Sequence, residues 1–148
     1  MKKFTYRMEN VLKIKKELEQ QQRIEFTNAN NILSAEKDKL IRLTIKQRKY
    51  ERKAKTLAEG RLDVKALNEN RNAITVMKTL VREQMIQVHM AEKNAERERQ
   101  KLIDMQRERK THEKLKEYAW KQYISEFNKE EAKEIDQLVS YTYSADND

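Results

Sequence analysis

The side chains of this 148-residue sequence that could do chemistry are two histidines, scattered acidic pairs and a dense set of lysines and arginines. His89 and His112 stand 23 positions apart. On one helix that is roughly 35 Å at 1.5 Å per residue, so they do not share a metal, and each reads as a surface or seam histidine. Acidic pairs such as Glu130 and Glu131 would need a water-excluding pocket to separate their pKa values, and two helices offer none. A single glycine excludes a phosphate-cradling loop or dinucleotide fingerprint, each of which needs several. The absence of cysteine removes disulfides and thiolate ligands. Met77, Met85, Met90 and Met105 fit seam or flank positions as packing residues. No catalytic, cofactor-binding or metal-binding residue is expected, and the chain is expected not to be an enzyme.

The charge does carry information. The net charge is +8, yet residues 1–60 hold 16 Lys/Arg against 8 Asp/Glu while residues 61–148 hold 17 of each. The surplus concentrates in residues 37–55 as a basic stripe that includes Lys46, Lys49 and Lys53. Beyond Lys121 the sign reverses: Glu126, Glu130, Glu131, Glu134, Asp136, Asp146 and Asp148 face only Lys129 and Lys133. Two ends of opposite charge suit two different partners.

The elements behind these side chains follow from composition and period. With 39% charged residues, one Gly and no Pro, the chain is built of helix formers and can bury a seam but not a globular core. Leu67, Ile74, Val81, Val88, Ala95 and Leu102 recur every seven residues, with Met77, Ala91 and Met105 between them, a sustained heptad seam. The first part offers Ala29, Leu33, Leu40, Leu43, Tyr50 and Leu57, and nearer its start Phe4, Val11, Ile14 and Leu18. Leu18 to Phe26 spans eight residues, which predicts a local change of supercoil.

Between the two periodic stretches lies Gly60, which can take the left-handed conformation that ends a helix, and then Asp63, which can cap the next. Leu62 and Leu67 have the spacing of a hydrophobic staple. The fold class predicted is all-α, a long antiparallel two-helix coiled-coil hairpin: helix 1 over 4–58, a turn over 59–63, helix 2 over 64–139 with a C-terminal overhang, and a disordered tail over 140–148. Counting outward from the turn sets Leu57 near Leu67, Tyr50 near Ile74, Leu43 near Val81 and Phe4 opposite Trp120. Everything after Trp120 then lacks a first-helix partner, although it carries Tyr123, Ile124, Phe127, Ile135, Leu138 and Val139. The basic start lacks the apolar stretch of a signal peptide, and no apolar run is long enough to span a bilayer, so a cytoplasmic location without membrane insertion is expected.

The opening Phe4-Thr5-Tyr6-Arg7-Met8-Glu9-Asn10-Val11-Leu12-Lys13 resembles the start of the flagellar export protein FliJ family. The segment Leu115-Lys116-Glu117 and the stretch Glu130-Glu131-Ala132-Lys133-Glu134-Ile135-Asp136 resemble its C-terminal part. Members of that family form an antiparallel coiled coil similar to the gamma subunit of rotary ATPases. The resemblance therefore implies a central stalk in the flagellum-specific type III export ATPase ring, promoting ring assembly and coupling it to the membrane-embedded export gate at the cytoplasmic face of the inner membrane. By that resemblance the ATPase contact falls on Phe4, Met8, Val11, Trp120, Ile124, Phe127, Ile135 and Leu138. The gate contact falls on Leu43, Tyr50, Met77 and Leu80, and Ala73 stands where the family often has a bulky aromatic.

Two other classes of function fit a basic coiled coil. One is a chaperone or adaptor for export substrates, or a carrier of their chaperones, using the exposed apolar stripe. The other is non-specific nucleic-acid binding through phosphates. The sequence argues against the latter, because the basic stripe holds no stacking aromatic except Tyr50, and no nucleic-acid partner is expected.

Overall fold

The computed structural model describes residues 2–146 of the chain. Two helices, α1 (Glu9–Ala58) and α2 (Val64–Asp146), pack against each other as an all-α hairpin. α1 begins later than residue 4. Its first backbone bonds run from Leu12 N to Met8 O, and Glu9 N closes a turn onto Tyr6 O. Residues 2–6 take no regular structure, which leaves Phe4 free to lie against α2. α2 continues beyond residue 139 through Asp146, where no glycine or proline breaks it. The tail expected over 140–148 is thus helical as far as Asp146, and its last two residues lie outside the described ones.

The reversal is built as its residue types dictate. Gly60 has φ +81°, a conformation that costs glycine little and any L residue more. Asp63 then caps α2: Asp63 Oδ1 accepts from Ala66 N at 3.3 Å, and Asp63 O accepts from Leu67 N at 3.0 Å. The expected staple does not close, because Leu62 is 64% exposed.

The chain divides into two compact units, one formed by Gln21–Leu102 and the other by Met1–Gln20 with Ile103–Asp148. In the first, the buried and half-buried positions of α1 fall at 22, 26, 29, 33, 36, 40, 43, 47, 50, 54 and 57, with Thr44 the one addition. That is an unbroken three-four spacing. α2 answers with 67, 70, 74, 77, 81, 84, 88, 91, 95, 98 and 102, with Ala66 and Ala73 in addition.

Six of these seam residues, Gln22, Glu36, Gln47, Asn70, Gln84 and Glu98, carry amide or carboxyl side chains, and all but Gln47 meet the facing helix in polar layers. Gln22 Nε2 donates to Glu98 O at 3.0 Å and to the Glu98 carboxylate at 2.6 Å. Gln84 Nε2 makes the same pair of bonds to Glu36, 2.9 Å to the carbonyl and a short bond to the carboxylate. Asn70 Nδ2 donates to Tyr50 O at 3.0 Å. From layer to layer α1 advances fourteen residues, 22, 36 and 50, while α2 retreats fourteen, 98, 84 and 70. The Asn70 bond sets Tyr50 one turn nearer the reversal than the Ile74 expected from apolar counting. Between the two Gln–Glu layers lie Ala29 and Ala91, both buried.

In the other unit the seam differs from the expected one at Ile14 and Leu18, while Val11 is half-buried. Leu12 is 1% exposed and Glu19 is buried, while Ile14 and Leu18 face solvent at 53% and 42%. The α1 burial positions 12, 15 and 19 keep the spacing that 22, 26 and 29 follow. No eight-residue skip is present, because polar side chains occupy the positions that apolar counting left empty. Glu19 pairs with Arg109, which also binds Glu113 at 2.9 Å. Lys15 pairs with Glu108 and Lys116 with Glu9, each at 2.8 Å.

These pairs predict an acid-sensitive hairpin. The Lys116 ammonium holds Glu9 below its ordinary value of 4.5, Lys15 does so for Glu108, and the Gln22 amide does so for Glu98. A carboxyl whose pKa is lower in the folded state stabilises that state fully above its unfolded pKa and loses the contribution as pH falls through the folded one. The melting midpoint is therefore expected to be flat from pH 7 to about 5 and to fall below about 4.5. Circular dichroism melts of the wild type and of a Glu9→Gln, Glu108→Gln variant check it, the variant losing part of the fall. An unchanged acid limb in that variant would remove these two carboxylates from the account.

Candidate partner-binding surfaces

Unit by unit, the side chains most able to meet a partner fall at three places. The first is an aromatic cluster where residues 2–6 lie against α2. Phe4 meets Trp120 edge-on at 5.0 Å between ring centroids and Tyr123 at 5.3 Å. Trp120 stacks on Tyr123 at 5.6 Å, and Tyr123 on Phe127 at 6.4 Å. The Tyr123 hydroxyl donates to Lys2 O at 2.7 Å, fixing the non-helical segment. Phe4 thus sits against Trp120, where the counting from the turn placed it. Trp120 remains 46% exposed and Phe127 37%, so the cluster offers ring surface outward while its inner faces are used.

The second place is α2 beyond that cluster. Every residue from 125 to 146 is exposed. Ile135, Leu138, Val139, Tyr141 and Tyr143 are 57% to 76% exposed, far more apolar surface than a solvated helix ordinarily carries. Of the residues expected at the ATPase contact, Met8, Ile135 and Leu138 are exposed, while Val11 and Ile124 are half-buried. Tyr123, which ties Phe4, Trp120 and Phe127 together, was not among them. Its signal was there: it continues the seven-residue series through 102, 109 and 116.

The third place is the end of the Gln21–Leu102 unit that carries the reversal. Lys46, Lys49 and Lys53 are exposed, and among the described residues no ion pair involves a Lys or Arg between 37 and 82. Of the four residues expected at the gate contact, only Leu80 is exposed, at 39%. Met77 is buried at 5%, and Leu43 and Tyr50 are half-buried seam positions. Leu80 with neighbouring Val76, 57% exposed, is the part of that patch a partner reaches without opening the seam.

For chemistry the arrangement offers little. His89 is exposed, and His112 is half-buried with its Nδ1 shielded and without a hydrogen bond. Among the described residues no group of three His, Cys, Asp or Glu side chains is placed to hold a metal ion. Among them also no helix is long and apolar enough to cross a membrane.

No curated protein and no solved structure matches the chain. A sequence model described as Flagellar FliJ protein does match, over residues 3–148. The match covers the aromatic start, both helices and the exposed end of α2, and the chain belongs to the flagellar FliJ protein family, a family of flagellar protein export components.

Proposed function

We propose that this export component acts as the central stalk of the flagellum-specific ATPase ring, promoting ring assembly and coupling the ring to the membrane-embedded export gate. The observation that carries the reading is the stretch 125–146, a helix whose every residue is exposed although it carries large apolar side chains. Each such side chain gains about 1.5–3 kcal/mol when fully buried, so a collar of apolar residues in a ring is a sufficient sink for them. The aromatic cluster, with Phe4, Trp120 and Phe127, stands at the start of that stretch and extends the same contact. The basic, reversal-bearing end of the other unit, with Lys46, Lys49, Lys53 and Leu80, remains for the gate.

The test is addition of the purified chain to the purified flagellar ATPase. Hydrolysis is expected to rise with chain concentration and to saturate below one chain per ATPase subunit, with larger assemblies forming in parallel by light scattering. An export-substrate adaptor would bind substrates or their chaperones and leave hydrolysis unchanged, and that result would replace the stalk reading.

A further inference from the structure

Residues 37–82 hold 14 Lys/Arg against 5 Asp/Glu, more than the whole +8 surplus of the chain. All eight residues from Ala58 to Lys65 are exposed. At their centre the left-handed Gly60 turns the chain, and the unclosed staple leaves Leu62 at 64% and Val64 at 67% exposure. Two branched aliphatic side chains thus stand at the apex, in a stretch, residues 51–65, where Arg52, Lys53, Lys55, Arg61 and Lys65 outnumber Glu51, Glu59 and Asp63. None of those cations is drawn into an ion pair among the described residues.

We infer that this apex docks on an anionic phospholipid surface, with Leu62 and Val64 seated among the headgroups and the surrounding cations on the lipid phosphates. Clustered cations beside exposed aliphatics are the combination an acidic membrane interface attracts. Nucleic acid is a poorer fit. The one aromatic near the apex, Tyr50, is half-buried in the seam and offers no ring for base stacking. A folded acidic protein gripping the apex alone is poorer too, and the gate contact proposed above falls instead on the helices that lead to it, at Lys46, Lys49 and Leu80. The ends of two helices, each about 10–12 Å across, present much less than the ~800 Å² per partner of a stable protein interface. A laterally extended charged plane needs no such fit, because the flanking cations reach it within a Debye length. The contact is interfacial and spans nothing, so it departs only in part from the expectation of no membrane insertion. Nothing in the stalk reading is needed for it.

Co-sedimentation of the full chain with vesicles tests it. Binding is expected to vesicles of mixed phosphatidylcholine and phosphatidylglycerol, to be near zero with phosphatidylcholine alone, and to weaken as salt rises. An Arg61→Glu, Lys65→Glu variant should lose at least tenfold in partitioning, since each basic residue near such a surface contributes about fivefold. A Leu62→Ser, Val64→Ser variant, altered only at exposed positions, should keep its helical signal and also lose several-fold. Equal binding to phosphatidylcholine alone, or full binding by the serine variant, would overturn the inference. So would duplex DNA that displaces the chain from vesicles at equal phosphate, which would mark a general polyanion site.

Discussion

Ending the chain after Asn128 is expected to abolish stimulation of the flagellar export ATPase while the remaining hairpin melts at nearly the same temperature. The cut removes Lys129 onward, exposed throughout as far as Asp146, and so removes no seam contact, ion pair or ring contact among the described residues. Stability of the rest should move by less than about 0.5 kcal/mol, the range of ordinary surface changes, which is a degree or two in the melt. Helical signal should fall only in proportion to the residues lost. The placement of the cut matters. Ending at Trp120 would also delete Tyr123 and Phe127, taking one of Phe4's two ring partners and releasing the Lys2 carbonyl from its hydroxyl donor, so a loss of activity would then confound the two surfaces. Normal stimulation by the chain ending at Asn128 would move the ATPase contact onto the aromatic cluster, and Trp120→Ala would become the decisive variant.

Replacing the seam amides Gln22, Asn70 and Gln84 together by leucine is expected to raise the melting temperature and to blur the register. Asn70 is 5% exposed, and its Oδ1 is buried without a hydrogen bond, an arrangement that costs about 1–3 kcal/mol. Leucine removes that cost and fills the seam. At Gln22 and Gln84 the lost amides leave Glu98 and Glu36, of which Glu98 keeps Lys101 at 3.4 Å. A chain of this size moves about 2–4 °C per kcal/mol, so the triple variant should melt about 5–10 °C higher. Register is read separately. Ala29 and Ala91 lie midway between the two Gln–Glu layers, so cysteines there should join almost completely in the parent chain. In the triple variant the yield should fall, because apolar seams differing by one heptad bury nearly the same surface while polar layers do not match. A higher melting point with undiminished crosslinking would show that the amides do not specify register. A lower melting point would show that the satisfied layers are net stabilising.

The amides also show where the sequence was legible and where it was not. Gly60 and Asp63 announced the reversal, because only one residue in the chain has glycine's freedom and the cap follows it at the right distance. The seven-residue series from Leu67 to Leu102 announced α2, because its members are apolar and no polar residue is needed to see the period. On α1, Lys15, Glu19, Gln22, Glu36 and Gln47 occupy seam positions. Counting apolar residues there selected Ile14 and Leu18, which face solvent, and read a skip where the period is continuous. The same cause set Tyr50 against Ile74, because in a heptad seam every residue has an apolar neighbour three or four places away, and only the Asn70 bond chooses between them. The fourteen-residue recurrence of the amides and acids was present in the chain but has meaning only once both strands of the seam are paired. For the surfaces, Phe4 and Trp120 were legible as opposite one another. The non-helical path of residues 2–6, on which their contact depends, was not, since nothing in Phe4-Thr5-Tyr6 forbids a helix.

The polar layers between Gln22 and Glu98, Glu36 and Gln84, and Tyr50 and Asn70 share one further property: each joins α1 to α2, and none involves the reversal itself. Nothing in those layers states that the two helices must come from the same molecule. If Gly60 left its positive φ for the helical one, which glycine does readily, two opened chains lying antiparallel would exchange partners and make every layer twice over. The single-chain form is then favoured by mass action, since the two helices of one chain meet at an effective concentration far above that of a second copy. Crowding many copies at one assembly site lowers that advantage, so the torsion of a single residue stands between a self-contained hairpin and a strand-exchanged pair.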